Sequence, residues 1–121
     1  MLTFCSLSKL RNHKSSINFL AVRYQLNEVN GVVHLPQLSP SPTLFSILKG
    51  CKTVEEFNNN RTKFRKEMET CESRAAIQAV MELLDLGQDI TITCYCGNHE
   101  LCHTKFLAEI FEEAGYEVSI H

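Results

Sequence analysis

Three cysteines and a histidine crowd into a short stretch near the C-terminal end of the chain: Cys94, Cys96, Cys102 and His103. A cysteine thiolate is both a nucleophile and a metal ligand, and a nearby histidine can act as its base or as a further ligand. Cys94 and Cys96 are two residues apart, so in a strand their side chains share one face. We therefore place the candidate functional site in this segment.

One interpretation of the segment is a reactive thiol beside an anion pocket. Cys102 and His103 come at the predicted start of a helix, where unpaired N–H groups and a partial positive charge stabilise a thiolate or a bound anion. Cys102 is then the thiol that we expect to be most acidic, and His103 or His99 would be its base or positive neighbour. The nucleophile or redox thiol would be Cys96 or Cys102, which makes the catalytic set Cys96, Cys102 and His103.

Two further interpretations stay open. A zinc site would have as its four ligands Cys94, Cys96, Cys102 and either His103 or His99. A Cys-x-Cys pair followed by Cys-His is, however, not one of the strongly diagnostic zinc spacings. In the remaining interpretation the strand packs its cysteines as small hydrophobic side chains, and the Cys-His pair only starts a helix. The residues alone leave open whether the protein is an enzyme.

The elements around the segment predict how it is positioned. Residues 90–95 are rich in β-branched side chains and predict a strand. Apolar side chains then recur at helical spacing from Phe106 to Ala114, and a second strand is predicted at 116–120. Strand, helix and strand at this spacing predict a right-handed βαβ unit whose two strands are parallel neighbours in one sheet.

The remainder of the chain predicts the same class of fold. Further strands are predicted at residues 2–5, 17–24 and 32–35. Helices are predicted from Pro42 to a stop at Gly50, from a capping box at Thr53 and Glu56 onward, and from Ser73 to a stop at Gly87. This alternation is typical of an α/β fold, a single three-layer domain over residues 1–121 with a mostly parallel sheet.

The composition limits the classes of function. The chain has 121 residues, of which 44% are hydrophobic and 21% charged, and this balance suits one globular domain. A formal net charge of -2 gives no overall attraction to nucleic acid or to an anionic membrane. The apolar stretch 17–22 is much shorter than the roughly 20 residues of a membrane span, and the first residues do not have the pattern of a signal peptide. We therefore expect a cytoplasmic protein with no membrane partner.

The C-terminal motif resembles that of the domain-of-unknown-function 488 family, small α/β proteins of bacteria, archaea and phages. The family pattern is an apolar strand ending in cysteine, a polar loop, a Cys-His-Arg triplet that opens a helix, then a glycine and a strand ending near a histidine. Here these features are residues 92–96, Cys102-His103-Thr104, Gly115 and 118–121. Upstream, Val22-Arg23 resembles the family's Val-Arg strand end and 38–41 its Leu-x-Pro-Ser segment. The resemblance extends over nearly the whole chain.

Two departures from the family pattern bear on the site. Thr104 stands where the triplet has arginine, so a planar cation suited to phosphate or carboxylate contact is missing. Ala21 stands where the family usually carries an acid before Val-Arg. Arg23 is then the cation that we expect to face the site.

Residues and resemblance together lead to an expected function. We expect a cytosolic protein that binds a small anionic ligand, such as a nucleotide or a nucleic-acid fragment. Thiol chemistry on that ligand is an additional expectation, and no resident cofactor is expected. A phage origin is one of the origins compatible with the resemblance. The ligand-binding residues would be Arg23, Asn98, His99 and Thr104. The alternative is a non-catalytic module, zinc-stabilised or simply compact, that binds another protein such as a host or defence factor.

Overall fold

A five-stranded sheet forms the centre of the computed structural model, which describes residues 1–121. Its strands are β1 (Leu2–Ser6), β2 (Ile17–Leu20), β3 (Val33–His34), β4 (Ile90–Cys94) and β5 (Val118–Ile120). They lie in the order β3-β2-β4-β1-β5, and every adjacent pair is parallel. The predicted α/β class with a parallel sheet is thereby confirmed.

The strand order corrects one prediction. β4 and β5 run parallel as predicted, but they are not neighbours, because β1 lies between them and pairs with both. Leu2 and Phe4 of β1 are as buried as Ile90 and Ile92 of β4, so the first strand of the chain takes a central position in the sheet. A βαβ pattern predicts the direction of two strands, but it does not tell whether a third strand lies between them.

Six helices pack around the sheet: α1 (Leu10–His13), α2 (Pro42–Lys49), α3 (Val54–Asn58), α4 (Arg61–Glu67), α5 (Cys71–Asp85) and α6 (Thr104–Glu113). Three of the four helices predicted from the sequence are present as single helices, and the one predicted from the capping box at Thr53 onward is divided into α3 and α4. The segment between β1 and β2, for which the sequence predicted no helix, contains α1. β2 is shorter than the predicted strand 17–24, because after Ala21, whose N–H donates to the carbonyl of Thr93 (2.8 Å), the chain leaves the sheet.

Side chains cap α2 and α3 where these helices were predicted to begin. Ser41 Oγ accepts a hydrogen bond from the N–H of Leu44 (3.2 Å) at the start of α2. Thr53 Oγ1 accepts one from the N–H of Glu56 (3.1 Å) at the start of α3. The carboxylate of Glu56 reaches back to the N–H of Lys52 (3.1 Å) instead of that of Thr53, so the capping box closes one residue further upstream.

The main core lies on one face of the sheet. Leu2, Phe4, Ile90 and Ile92 point to this face and pack against buried side chains of the helices, among them Leu44, Phe57, Phe64, Val80, Phe106, Leu107 and Phe111. Thr91 alternates with its neighbours and so points to the opposite face, where its Oγ1 donates to the carbonyl of His13 in α1 (2.7 Å). Helical segments thus cover both faces of the sheet.

Glycines end the two long helices of this core. Gly87 follows α5 with φ of 87°, and Gly115 follows α6 with φ of 96°, a left-handed conformation that glycine adopts without steric cost. These stops turn the chain into β4 and β5. No helix of the protein combines the length and the apolar composition that crossing a membrane requires.

Candidate functional site

The clustered cysteines lie at the carboxyl ends of the parallel strands, where ligands of open α/β sheets bind. Cys94 is the last residue of β4, Cys96 follows two residues later, and Cys102 comes after a 3-10 turn at His99–Leu101. The turn folds the chain back so that the three Sγ atoms lie within 4.8 Å of one another. The Sγ atoms of Cys94 and Cys102 are 3.2 Å apart. The structure therefore brings together the three cysteines that the sequence singled out.

The three thiols differ in exposure. Cys94 and Cys102 are 4% and 1% exposed and pack with the apolar side chains of Leu20 and Val22. Cys96 is partly exposed and lines a cavity of about 20 Å³. A cavity of this size has room for about one water molecule. Cys96 is thus the member of the cluster that a ligand can reach.

Polar groups form most of the wall of this Cys96 cavity. Its lining residues are Cys5, Ser6, Cys96, Gly97, His99, Thr104 and His121. The backbone N–H groups of Gly97, His99 and Thr104 have no hydrogen-bond acceptor within the protein. They can therefore donate hydrogen bonds to a ligand, as the first N–H groups of a helix generally can.

Four residues of the cavity, Cys5, Ser6, Gly97 and His121, were not predicted as site residues. Ser6 ends β1 and pairs with Cys94 in register, so the rule that ligands bind at the carboxyl ends of parallel strands could have found it. His121 follows β5, and its N–H donates to the carbonyl of Phe4 (2.9 Å). It reaches the cavity only because β5 pairs with β1, and the histidine at the end of the family pattern marks His121 without placing it beside Cys96.

Contacts among the sulfur atoms favour a thiolate at Cys96. Hydrogen bonds from Cys102 and Cys94 lower the pKa of Cys96 far below its ordinary value. The pKa of Cys102 is raised by its hydrogen bonds with Cys94 and Cys96 and by burial. The pKa of Cys94 is also raised. Its hydrogen bond with Cys102 lowers the pKa, but the hydrogen bond with Cys96 and burial together raise it. The arrangement therefore favours Cys96 over the expected Cys102 as the more acidic thiol, because Cys102 donates hydrogen bonds to Cys94 and Cys96 and is also the most deeply buried of the three.

His103 is a buried, neutral neighbour of the cluster. It immediately precedes α6, its Nε2 lies 2.8 Å from the carbonyl oxygen of Ala21, and its Nδ1 lies 3.9 Å from Sγ of Cys102. Burial lowers the pKa of His103, so the ring is uncharged at neutral pH. His103 can therefore act as a proton acceptor or a metal ligand, but it does not supply a positive charge.

The predicted ligand-binding residues of the loop contact one another. Thr104 Oγ1 donates to Sγ of Cys102 (3.2 Å) and lies 3.5 Å from Nδ1 of His99. Burial lowers the pKa of His99, so this ring is also neutral. Asn98 Oδ1 accepts a hydrogen bond from the N–H of Glu100 (3.1 Å) and caps the 3-10 turn. His99 and Thr104 reach the cavity, whereas Asn98 supports the loop from outside it.

Arg23 points into a different groove. Its Nη2 donates to the carbonyl oxygens of Ser39 (3.1 Å) and Pro40 (3.0 Å). Together with Glu67 and other polar residues it lines a groove of about 280 Å³ that does not include the cysteines. The structure thus does not bring Arg23 together with the Cys96 cavity, although both lie beyond the carboxyl ends of the strands.

The three Sγ atoms are also close enough together to hold a metal ion such as zinc. With Zn–S bonds of about 2.3 Å, tetrahedral geometry separates neighbouring sulfurs by about 3.8 Å, which is within the spread of this cluster. Neither His103 nor His99 belongs to the group of ligand atoms that converge. Of the zinc set inferred from the sequence, the structure therefore assembles three cysteines, with His103 at the edge.

Comparisons with known proteins agree with the Cys-His motif. No curated protein and no solved structure matches the chain. A family model, DUF488-N3a, described as the active DUF488-N3 subclade, matches residues 2–115. The matched range includes the three clustered cysteines and His103 and stops short of His121. The chain therefore belongs to the DUF488 family.

Proposed function

We propose that the protein binds an anionic ligand, such as a nucleotide or a nucleic-acid fragment, at the Cys96 cavity and reacts with it through the Cys96 thiolate. One observation carries the proposal: Cys96 is the thiol of the cluster that both lines the cavity and has a lowered pKa. The thiolate is the nucleophilic form of cysteine. A reducing compartment such as the cytoplasm, where we expect the protein, would keep the thiols free.

The preference for an anion is supported by the groups around the sulfur. Gly97, His99 and Thr104 line the cavity and have free N–H groups, and free N–H groups at the start of a helix bind anions. A phosphate group whose oxygen atoms accept these hydrogen bonds would have its phosphorus beside Cys96, as nucleophilic attack requires. Since the cavity holds about one oxygen-sized group, the remainder of a nucleotide would lie outside it.

Cys102 and His103 would position and stabilise the thiolate. The Cys102 thiol contributes the largest of the hydrogen bonds that lower the pKa of Cys96. His103 directs its unprotonated Nδ1 toward Cys102 (3.9 Å to Sγ), because its Nε2–H is donated to Ala21. In this arrangement Cys102 is a proton donor to Cys96, and His103 is the group that can accept a proton from Cys102.

Protection from alkylation tests the proposal. The protein is treated with iodoacetamide at neutral pH, with and without inorganic phosphate or adenosine monophosphate, and labelled cysteines are mapped by mass spectrometry. We expect Cys96 to react first and both ligands to slow its labelling, while labelling of the exposed Cys71 stays unchanged. Equal labelling rates at Cys96 and Cys71 would refute the thiolate, and unprotected labelling at millimolar phosphate would refute the anion site.

A zinc-stabilised module that binds another protein is a second candidate function, favoured by the convergence of the three Sγ atoms. All three cysteines would then be metal ligands, and Cys96 would not be a free nucleophile. This candidate predicts one zinc per chain after dialysis, slow alkylation of Cys96, and unfolding when a chelator removes the metal. Cys71→Ser should keep the zinc, because Cys71 is exposed and lies outside the cluster. Metal-free protein with an unchanged melting temperature would exclude it.

A further inference from the structure

We infer that the cysteine cluster also reduces hydroperoxides, with Cys96 as the attacking cysteine and Cys102 as the cysteine that converts the product into a disulfide. The inference rests on the reactive Cys96 of the proposed function and adds a second class of substrate, a small neutral oxidant. Two geometric features support it: the partner thiol is already in place, and the cavity matches the size of the oxidant.

Cys102 is in place as the partner. Its Sγ lies within 4.8 Å of Sγ of Cys96, so closing to the roughly 2 Å of a disulfide requires side-chain rotation and a small movement of the loop. Cys94 is equally close but less suitable, because a single residue separates it from Cys96 and a disulfide between them would close a very small ring across the bend at Tyr95. The five residues 97–101 between Cys96 and Cys102 impose no such restriction on Cys102.

The cavity selects for small substrates. At about 20 Å³ it has room for a group the size of one water molecule, and hydrogen peroxide is only slightly larger. Its polar wall includes the hydroxyl-bearing Ser6 and the free N–H of Gly97, which can donate hydrogen bonds to a departing oxygen. A hydroperoxide would therefore enter with its O–O bond beside Cys96, and a bulky substituent would remain outside.

The reaction balances with the groups present and an external thiol. The Cys96 thiolate attacks one peroxide oxygen, an S–O bond forms, the O–O bond breaks, and the alkoxide or hydroxide leaves as alcohol or water after taking one proton from solvent. The Cys102 thiol then attacks the sulfur of the Cys96 sulfenic acid, an S–S bond forms, and water leaves. Two thiols lose two electrons in total, and the peroxide gains them. A dithiol such as dithiothreitol returns the disulfide to thiols by exchange.

Disulfide mapping of the unaltered, reduced protein tests the inference. One equivalent of hydrogen peroxide is added, and we expect loss of two of the six free thiols, a peptide pair joined by Cys96 and Cys102, and recovery on adding dithiothreitol. The loss should be at least tenfold faster than oxidation of Cys71 in the same sample. Cys71→Ser should react like the unaltered chain. Cys102→Ser should accumulate a Cys96 sulfenic acid that dimedone traps, whereas Cys96→Ser should form no disulfide.

The outcomes separate this inference from the proposed function. If Cys96 is alkylated rapidly and protected by phosphate, yet peroxide oxidises it no faster than Cys71, the peroxide inference is overturned and the proposed function stands. A disulfide that excludes Cys96 also overturns the inference. If Cys96 neither alkylates nor oxidises faster than Cys71, both fail together. Because the mapping uses the unaltered chain, the result does not depend on whether a variant folds.

Discussion

The Nε2 atom of His103 lies 2.8 Å from the carbonyl oxygen of Ala21, a contact that joins the residue after β2 to the residue before α6. Since a carbonyl oxygen only accepts hydrogen bonds, Nε2 carries the ring proton and Nδ1 is left unprotonated on the side of Cys102. The ring also packs against Phe64, with centroids 6.1 Å apart. His103 therefore connects the cysteine cluster both to the sheet and to the main core.

Replacing His103 by alanine should destabilise the fold. The substitution removes the donor to Ala21 and leaves a buried carbonyl unpaired, at a cost of about 1–3 kcal/mol in the free energy of unfolding. His121→Ala, at an exposed position, should change that free energy by about 0.5 kcal/mol or less. Urea unfolding monitored by circular dichroism measures both values. Equal effects of the two substitutions would show that the contact with Ala21 contributes nothing to stability.

His103 should also make stability depend on pH. Burial lowers its pKa in the folded protein, so below the ordinary histidine value the unfolded chain binds a proton that the folded chain does not. Stability is therefore highest at and above neutral pH, and it declines as the pH falls from 7 toward 5. His99 contributes in the same direction, because burial lowers its pKa as well. His103→Gln, which cannot titrate, should reduce the slope of unfolding free energy against pH over this range; an unchanged slope would contradict the assignment.

The low pKa of Cys96 predicts an unusual pH profile for its alkylation. The thiol stays ionised well below its ordinary range, because Cys102 and Cys94 donate hydrogen bonds to it. Its rate with iodoacetamide should therefore be nearly flat from pH 5 to pH 8. A thiol of ordinary pKa loses about a factor of ten in rate for each unit of pH over this range. Cys102→Ser should steepen the profile of Cys96, while parallel profiles for Cys96 and Cys71 would exclude a stabilised thiolate.

Local patterns were sufficient to predict the unit that carries the site. The β-branched run that became β4, the apolar spacing of α6 and the stop at Gly115 each depend on near neighbours in the chain. The convergence of Cys94 and Cys96 was expected from the alternation of side chains along a strand, although β4 ends at Cys94 and the chain bends at Tyr95 before Cys96. The elements and the location of the cluster were therefore predictable.

Contacts between distant segments were not predictable in the same way. Ser6 and His121 reach the cavity because β1 lies between β4 and β5, and neither strand order nor loop packing is contained in local periodicity. The guanidinium of Arg23 donates to the carbonyl oxygens of Ser39 and Pro40, more than a dozen residues away in the chain, and therefore points away from the cysteines. The relative acidity of Cys96 and Cys102 depends on the hydrogen bonds among the three thiols and on burial, and both depend on how the loop and α6 pack against the sheet.

Phe106, in the first turn of α6, anchors that packing. It is fully buried, its ring stacks on Phe57 with centroids 5.0 Å apart, and it lies 5.8 Å from the ring of Phe64. The guanidinium of Arg61 lies 5.4 Å from the centre of the same ring. Phe106 therefore fixes the start of α6 on the layer formed by α3 and α4, four residues after Cys102.

Phe106→Ala should consequently affect both the fold and the site. Removing a fully buried phenylalanine leaves a cavity and lowers the free energy of unfolding by about 3–5 kcal/mol. Phe45→Ala, on the exposed side of α2, is the matched control and should cost about 1 kcal/mol or less. Because the start of α6 loses its anchor, Cys102 should also become open to alkylation while the protein is still folded. Mass spectrometry of samples alkylated below the urea concentration of the unfolding transition detects this labelling. If Phe106→Ala lowers stability but leaves Cys102 unreactive, the loop and β4 hold the cluster without help from α6.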